Sequence, residues 1–157
     1  MKSFEEYVAS GIVKKHSPDK LRANSLNEDA EMAYDSIKEI IEKVGINDKN
    51  PNTIIKGSYD IIMQLIRSKM FFDGYNSSGQ GAHEAEVSYL EVLEYDEKDV
   101  QFLNQLRYFR NGIAYYGKSF EKDYAEKVVE FLDKIYPKLK NEVSKLQLGE
   151  DSKERKE

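Results

Sequence analysis

The sequence predicts an all-α fold, and three observations predict it. Charged residues make up 34% of the chain, above the roughly 25% of an average globular domain. Lys, Glu, Leu and Ile are abundant while the 157 residues hold only 3 Pro and no Trp, a composition suited to long solvated helices. Apolar residues recur at three- and four-residue spacing along most of the chain, and no segment reads convincingly as a strand. The length fits one domain, and a hydrophobic share of 39% is enough for one modest core.

Each element has its own justification. From Phe4 to about Lys15, the residues Phe4, Tyr7, Val8, Gly11 and Ile12 fall at helical spacing, with Gly11 a weak point. Ser17-Pro18-Asp19 reads as the next helix start, with Ser17 as N-cap and Pro18 in the first position. Leu21, Leu26, Ala30, Ala33, Ile37, Ile40, Ile41 and Val44 carry that helix to Gly45, a left-handed stop. Asn47 to Asn52, with Pro51, forms a polar loop. A second long helix covers about Thr53 to Asp73, apolar on more than one side and therefore the most buried element. Gly74 closes it, and 75–81 is a turn-rich loop.

A third helix covers about Ala82 to Leu93, and Asp96 caps a fourth that stops at Gly117. Ser119 is placed to cap the last helix, whose stripe is Tyr124, Val128, Phe131, Leu132, Ile135 and Leu139. Pro137 should kink that helix or end it near Tyr136, since a mid-helix proline costs roughly 3 kcal/mol. Residues 149–157 contain no apolar side chain and are expected to be a disordered tail. The organisation is thus a helical N-terminal extension over 1–16, a bundle over 17–148 and the tail.

Composition excludes several chemistries. The chain has no Cys, hence no disulfide, thiolate zinc site or cysteine nucleophile. Two histidines, His16 and His83, leave almost nothing from which to build a Ser-His-Asp arrangement or a two-histidine metal helix. No cofactor and no metal is implied. The start lacks the apolar core of a signal peptide and no run approaches the ~20 apolar residues of a membrane span, which points to a cytoplasmic protein without a membrane partner. A net charge of −5 argues against a generally basic nucleic-acid coat but allows a local basic cleft.

The informative stretch lies in the fourth helix. At about 100° per residue, Phe102, Leu106, Phe109, Ile113 and Tyr116 form a core stripe. Arg107, Arg110, Asn111 and Ala114 then make a neighbouring polar face, and Tyr115 continues the line from Arg107 through Asn111. Gly112 costs about 1 kcal/mol relative to Ala within a helix and suggests a close approach, a partner helix among the options. Leu106-Arg107-Tyr108-Phe109-Arg110-Asn111-Gly112-Ile113-Ala114-Tyr115-Tyr116-Gly117 resembles the signature helix of the HEPN superfamily. The junction Phe71-Phe72-Asp73-Gly74-Tyr75, followed by Ser77-Ser78-Gly79 and His83-Glu84-Ala85, resembles one common in its small archaeal and bacterial members.

That resemblance covers roughly Leu21 to Leu139. It implies an antiparallel four- to five-helix bundle, here with an additional short N-terminal helix, that pairs as a homodimer. Many HEPN proteins are metal-independent ribonucleases or toxins with an Arg, a polar follower and then a His. Arg110 and Asn111 match, whereas the positions open to the His hold Tyr115, Tyr116 and Gly117. The implied function is a non-catalytic module binding RNA, a nucleotide or a partner protein through Arg107, Arg110, Asn111, Tyr115 and Tyr116. The alternative is a divergent ribonuclease, the toxin of a toxin–antitoxin pair, with Arg110, Asn111 and Tyr115 or Tyr116 as catalytic candidates. A nucleotidyltransferase encoded separately is a further possible partner. The same residues also have plainer uses: Arg110 as a structural ion-pair partner, Asn111 as a bond to a neighbouring helix or loop, and the tyrosines as packing.

Overall fold

The structure is a computed structural model; it describes the backbone of residues 1–117 and 119–156, and their side chains except at 114, 115 and 144–156. It is mostly helical. The elements run α1 (Phe4–Ala9), β1 (Val13–Lys15), α2 (Lys20–Lys43), α3 (Pro51–Asp73), β2 (Tyr75–Ser77), α4 (Ala82–Val92), α5 (Glu97–Tyr116) and α6 (Lys122–Lys156).

Helix α3 is the centre of the core. Ile54, Ile55, Ile61, Ile62, Met63, Leu65 and Ile66 are all buried on it, because α2, α4, α5 and α6 pack around it on different sides. Pro51, expected to sit in a loop, instead starts this helix at its first position, where the missing N–H would have had no partner. Helix α2 meets α3 through a seam of Ala23, Asn27, Ala30 and Ile37. At Ile37 the helices approach closely over Gly57: a Cβ there would stand 2.5 Å from the Ile37 Cδ1, so the isoleucine end would have to move. Lys140 on α6 ties in the same seam by donating to the buried Asn27 Oδ1 at 2.7 Å.

Several boundaries differ from the sequence reading. The N-terminal segment is not one helix: after α1, capped by Ser3 and Glu6 in a reciprocal box, the chain turns at Gly11 and Val13–Lys15 pairs antiparallel with Tyr75–Ser77. The sequence reading held no strand, and these two short ones form a small sheet beside the helices. Gly74 is fixed from two sides, by its left-handed φ of 86° and by the His16 carbonyl 2.5 Å from where a Cβ would stand. Asp19, not Ser17, caps α2 by accepting the Arg22 N–H at 3.1 Å. The last helix begins at Lys122, so Ser119 is not its cap.

Helix α6 also runs through Pro137 without ending. Pro137 itself is exposed, while Ile135, Tyr136 and Leu139 around it are buried. Burial on both sides of the proline offsets the lost bond. Asp133, whose carbonyl would have received that N–H, uses its carboxylate to take Lys38 Nζ at 2.8 Å and the Tyr34 hydroxyl at 3.0 Å. Where a disordered tail was expected over 149–157, the described backbone continues α6 to Lys156; the side chains there lie outside the described residues.

Candidate functional site

Helix α5 lies over α3 and α4, and its buried side differs from the expected stripe. Val100 and Leu103 are buried with Leu106 and Ile113, whereas Phe102 and Phe109 are half-buried and Tyr116 is 80% exposed. On a helical wheel the buried face is turned by about 70° toward Arg107 and Arg110. The two phenylalanines are drawn off by α6 and the segment before it: Phe102 packs 4.4 Å from Phe131, and Phe109 5.3 Å from Tyr124, ring centre to ring centre. Tyr116 is the last helical residue before the left-handed Gly117.

This rotation takes both arginines off the open polar face and into the junction of three helices. Arg107 Nη2 stands 3.6 Å from Glu84 Oε1 on α4, and its Nε donates to Asn104 Oδ1 at 3.1 Å. Arg110 Nη2 stands 3.5 Å from Asp60 Oδ1 on α3, with its guanidinium carbon 5.9 Å from the centre of the Tyr59 ring. Both guanidiniums are largely covered, while Glu84 and Asp60 are 43% and 51% exposed. Arg110 Nε and the Tyr59 hydroxyl are buried without a hydrogen-bond partner among the described residues. Asn111 is half-buried, and Gly112, read as a point of close approach, is buried within this chain. Tyr115 contributes backbone to α5; its side chain, like that of Ala114, lies outside the described residues.

Tyr59 reports the local field. Burial pushes its hydroxyl up to about 12, with Glu86 adding to the rise and Arg67, Arg107 and Arg110 opposing it. Three guanidiniums from two helices therefore act on one buried tyrosine, which stays protonated at neutral pH. Glu86 is itself buried, and both of its oxygens are used: Arg67 Nε on one and the Ser77 hydroxyl, at 3.1 Å, on the other. Glu84 has a second partner in the Tyr7 hydroxyl at 3.2 Å, so α1 reaches the edge of this cluster. His83, one residue before Glu84, is exposed in the first turn of α4.

Sequence reasoning found Arg107, Arg110 and Asn111 but missed Asp60, Tyr59, Arg67 and Glu86. The signal for Asp60 was present: it is an acid inside the most apolar helix of the chain, one residue after a tyrosine. Beyond Arg107, the outer side of α5 carries a shallow groove lined by Lys98, Gln101, Phe102, Gln105, Tyr108 and Phe109, and Tyr108 is 62% exposed. No group of acids and histidines suited to a metal occurs among the described residues, and no described helix is long and apolar enough to cross a membrane. Searches of protein-family models, curated proteins and solved structures found no match to this chain.

Proposed function

We propose that the chain is a HEPN-like module without catalytic activity, an antiparallel helical bundle that pairs through the open side of α5 and binds RNA at Arg107 and Arg110. One observation carries this reading. Two largely covered guanidiniums, one turn apart, are each held by a half-exposed carboxylate at 3.5 to 3.6 Å. That separation is longer than the 2.7 to 2.9 Å of a good charged hydrogen bond, and a partly exposed pair is worth about 0 to 1 kcal/mol. A phosphate oxygen can displace either carboxylate at small cost and gain the fork geometry of the arginine.

The non-catalytic part of the reading rests on the sequence. Arginine can stabilise the charge of a phosphorane, but moving the 2′-hydroxyl proton needs a group that titrates near neutrality. The positions that follow Arg110 at the resembled spacing hold tyrosines and a glycine. An ordinary tyrosine titrates near 10 and is a poor base at pH 7.

The test is anisotropy with a labelled structured RNA under chelation, wild type beside Arg107→Ala and Arg110→Ala, with the same samples run on a denaturing gel. The expected result is intact RNA, bound with strong salt dependence and weakened roughly tenfold by each variant. Cleavage lost in Arg110→Ala would replace this reading with the ribonuclease one. Failure of the wild type to bind RNA would overturn it and redirect the search to nucleotides and protein partners. Light scattering at high micromolar concentration checks the dimer, which a monomer there would refute.

A further inference from the structure

A cleft on the other side of α4's buried glutamate has the makings of a separate site. It lies between the first turns of α2 and the junction of α3 with β2, and encloses about 290 Å³. Its floor is apolar, from Leu26, Met70 and Phe71. Arg22 and Arg67 supply two positive charges on its walls and Glu86 one negative charge. Asn76, in β2, lines the cleft beside them. We propose that this cleft binds a small monocarboxylate with an aryl or short alkyl tail, the carboxylate gripped by Arg22 and Arg67 and the tail laid on Phe71 and Met70.

Both arginines are held ready for such a ligand by groups behind them. Arg22 lies over Phe71, its guanidinium carbon 4.5 Å from the ring centre, a contact that holds the charge at the edge of the apolar lining. Arg67 is fixed through Nε by the buried Glu86, whose other oxygen is taken by Ser77. Glu86 therefore offsets one positive charge and leaves the other. A surplus of one charge suits a carboxylate and is exceeded by a phosphate dianion. Asp19, which caps α2, lies in an adjoining hollow of about 260 Å³ beyond Arg22 and Phe71, where it further disfavours a second negative charge. The volume is at the small end of ligand sites, which favours a ring or short chain over a nucleotide. The cleft uses neither Arg107 nor Arg110, although Arg67 and Glu86 also belong to the cluster around Tyr59.

The test titrates benzoate and hexanoate into the full ¹⁵N-labelled chain, with benzylamine and inorganic phosphate as controls. Saturable amide shifts at Arg22, Asn76 and Ser77 are expected for both carboxylates, and none for the amine. Arg22→Ala, at an exposed position, should weaken binding about tenfold, the loss of one charged fork. Leu26→Trp should abolish it by filling the cleft while leaving the remaining spectrum folded. No saturable shift, saturation elsewhere on the surface, an equal response to benzylamine, or unchanged affinity in both variants would each overturn the proposal. Phosphate binding as tightly as benzoate would refute the carboxylate assignment.

Discussion

Helices α3 and α5 are close in length, 23 and 20 residues, and each carries arginine and acid among apolar side chains, yet the molecule uses them oppositely. Helix α3 is covered on several sides, and its charges are either tied to a buried partner, as Arg67 is to Glu86, or placed at its rim, as with Asp60. Helix α5 commits one side to α3 and α4 and leaves the other as an open groove with Tyr108 and Tyr116 exposed. Its arginines are fastened loosely, at distances where the partner can be exchanged. The contrast is one of cover rather than of residue type: the Arg67–Glu86 pair has its carboxylate buried, whereas the carboxylates that face Arg107 and Arg110 are half-exposed.

The sharpest way to break this comparison is to cut into both helices alike. Leu65→Ala empties a fully buried site on α3 and should destabilise the protein by about 3 kcal/mol in denaturant unfolding. Tyr108→Ala on the open side of α5 should stay within about 0.5 kcal/mol. Similar losses from the two, at a protein concentration where the chain is monomeric, would mean that α5 is packed on that side within the chain. Next in size is the closed pair. Arg67→Met leaves the buried Glu86 carboxylate with Ser77 alone, and should cost about 2 kcal/mol, below the 3 to 5 kcal/mol of a fully buried pair because Arg67 is partly exposed. Arg67→Met with Glu86→Leu should recover most of that loss, and failure to recover would show that the two residues do not act as a unit.

How far the sequence reached follows the same division. The two-sided apolarity of α3 was readable, as were the glycine stops at 74 and 117, because both signals are local. The strands were not, since Val13-Lys14-Lys15 has one buried residue and becomes a strand only by meeting Tyr75–Ser77, sixty residues away in the chain. Pro137 was read as an interruption because proline propensity is local, whereas the burial of Ile135, Tyr136 and Leu139 is not. At the candidate site, Arg107 and Arg110 were legible from their spacing. Their partners were not, because which acid faces Arg110 depends on how α5 is rotated against α3. The wheel set that rotation from Phe102 and Phe109, and α6 had already claimed both rings.

Tyr59 sharpens the comparison from inside. Its hydroxyl is raised to about 12 by burial, against about 10 in the unfolded chain. The folded state thus holds a proton that the unfolded state releases, so stability falls with rising pH between about 10 and 12 and is unaffected by this group below that window. Tyr59→Phe should flatten the fall by about 1 kcal/mol or more in an alkaline unfolding series. At pH 8 it should be neutral or mildly stabilising, because it removes a buried hydroxyl that lacks a partner. A clear loss of stability at pH 8 would show that the hydroxyl is satisfied by solvent within the arginine cluster.

The smallest stability effect carries the most functional weight. Asp60→Asn removes the half-exposed carboxylate from Arg110, and unfolding should shift by no more than about 0.5 kcal/mol. If the arginine is there only to pin α5 on α3, nothing else should change. If Asp60 occupies the place of a phosphate, its neutral variant lowers the cost of displacement and removes a repulsive charge. RNA should then bind a few-fold more tightly, most visibly at low salt, where an exposed charge is least screened. Arg110→Ala, equally mild in unfolding, should move binding in the opposite direction. Two substitutions on either side of one pair, alike in stability and opposite in affinity, would separate recognition from scaffolding; equal and null effects on binding would assign the pair to the fold.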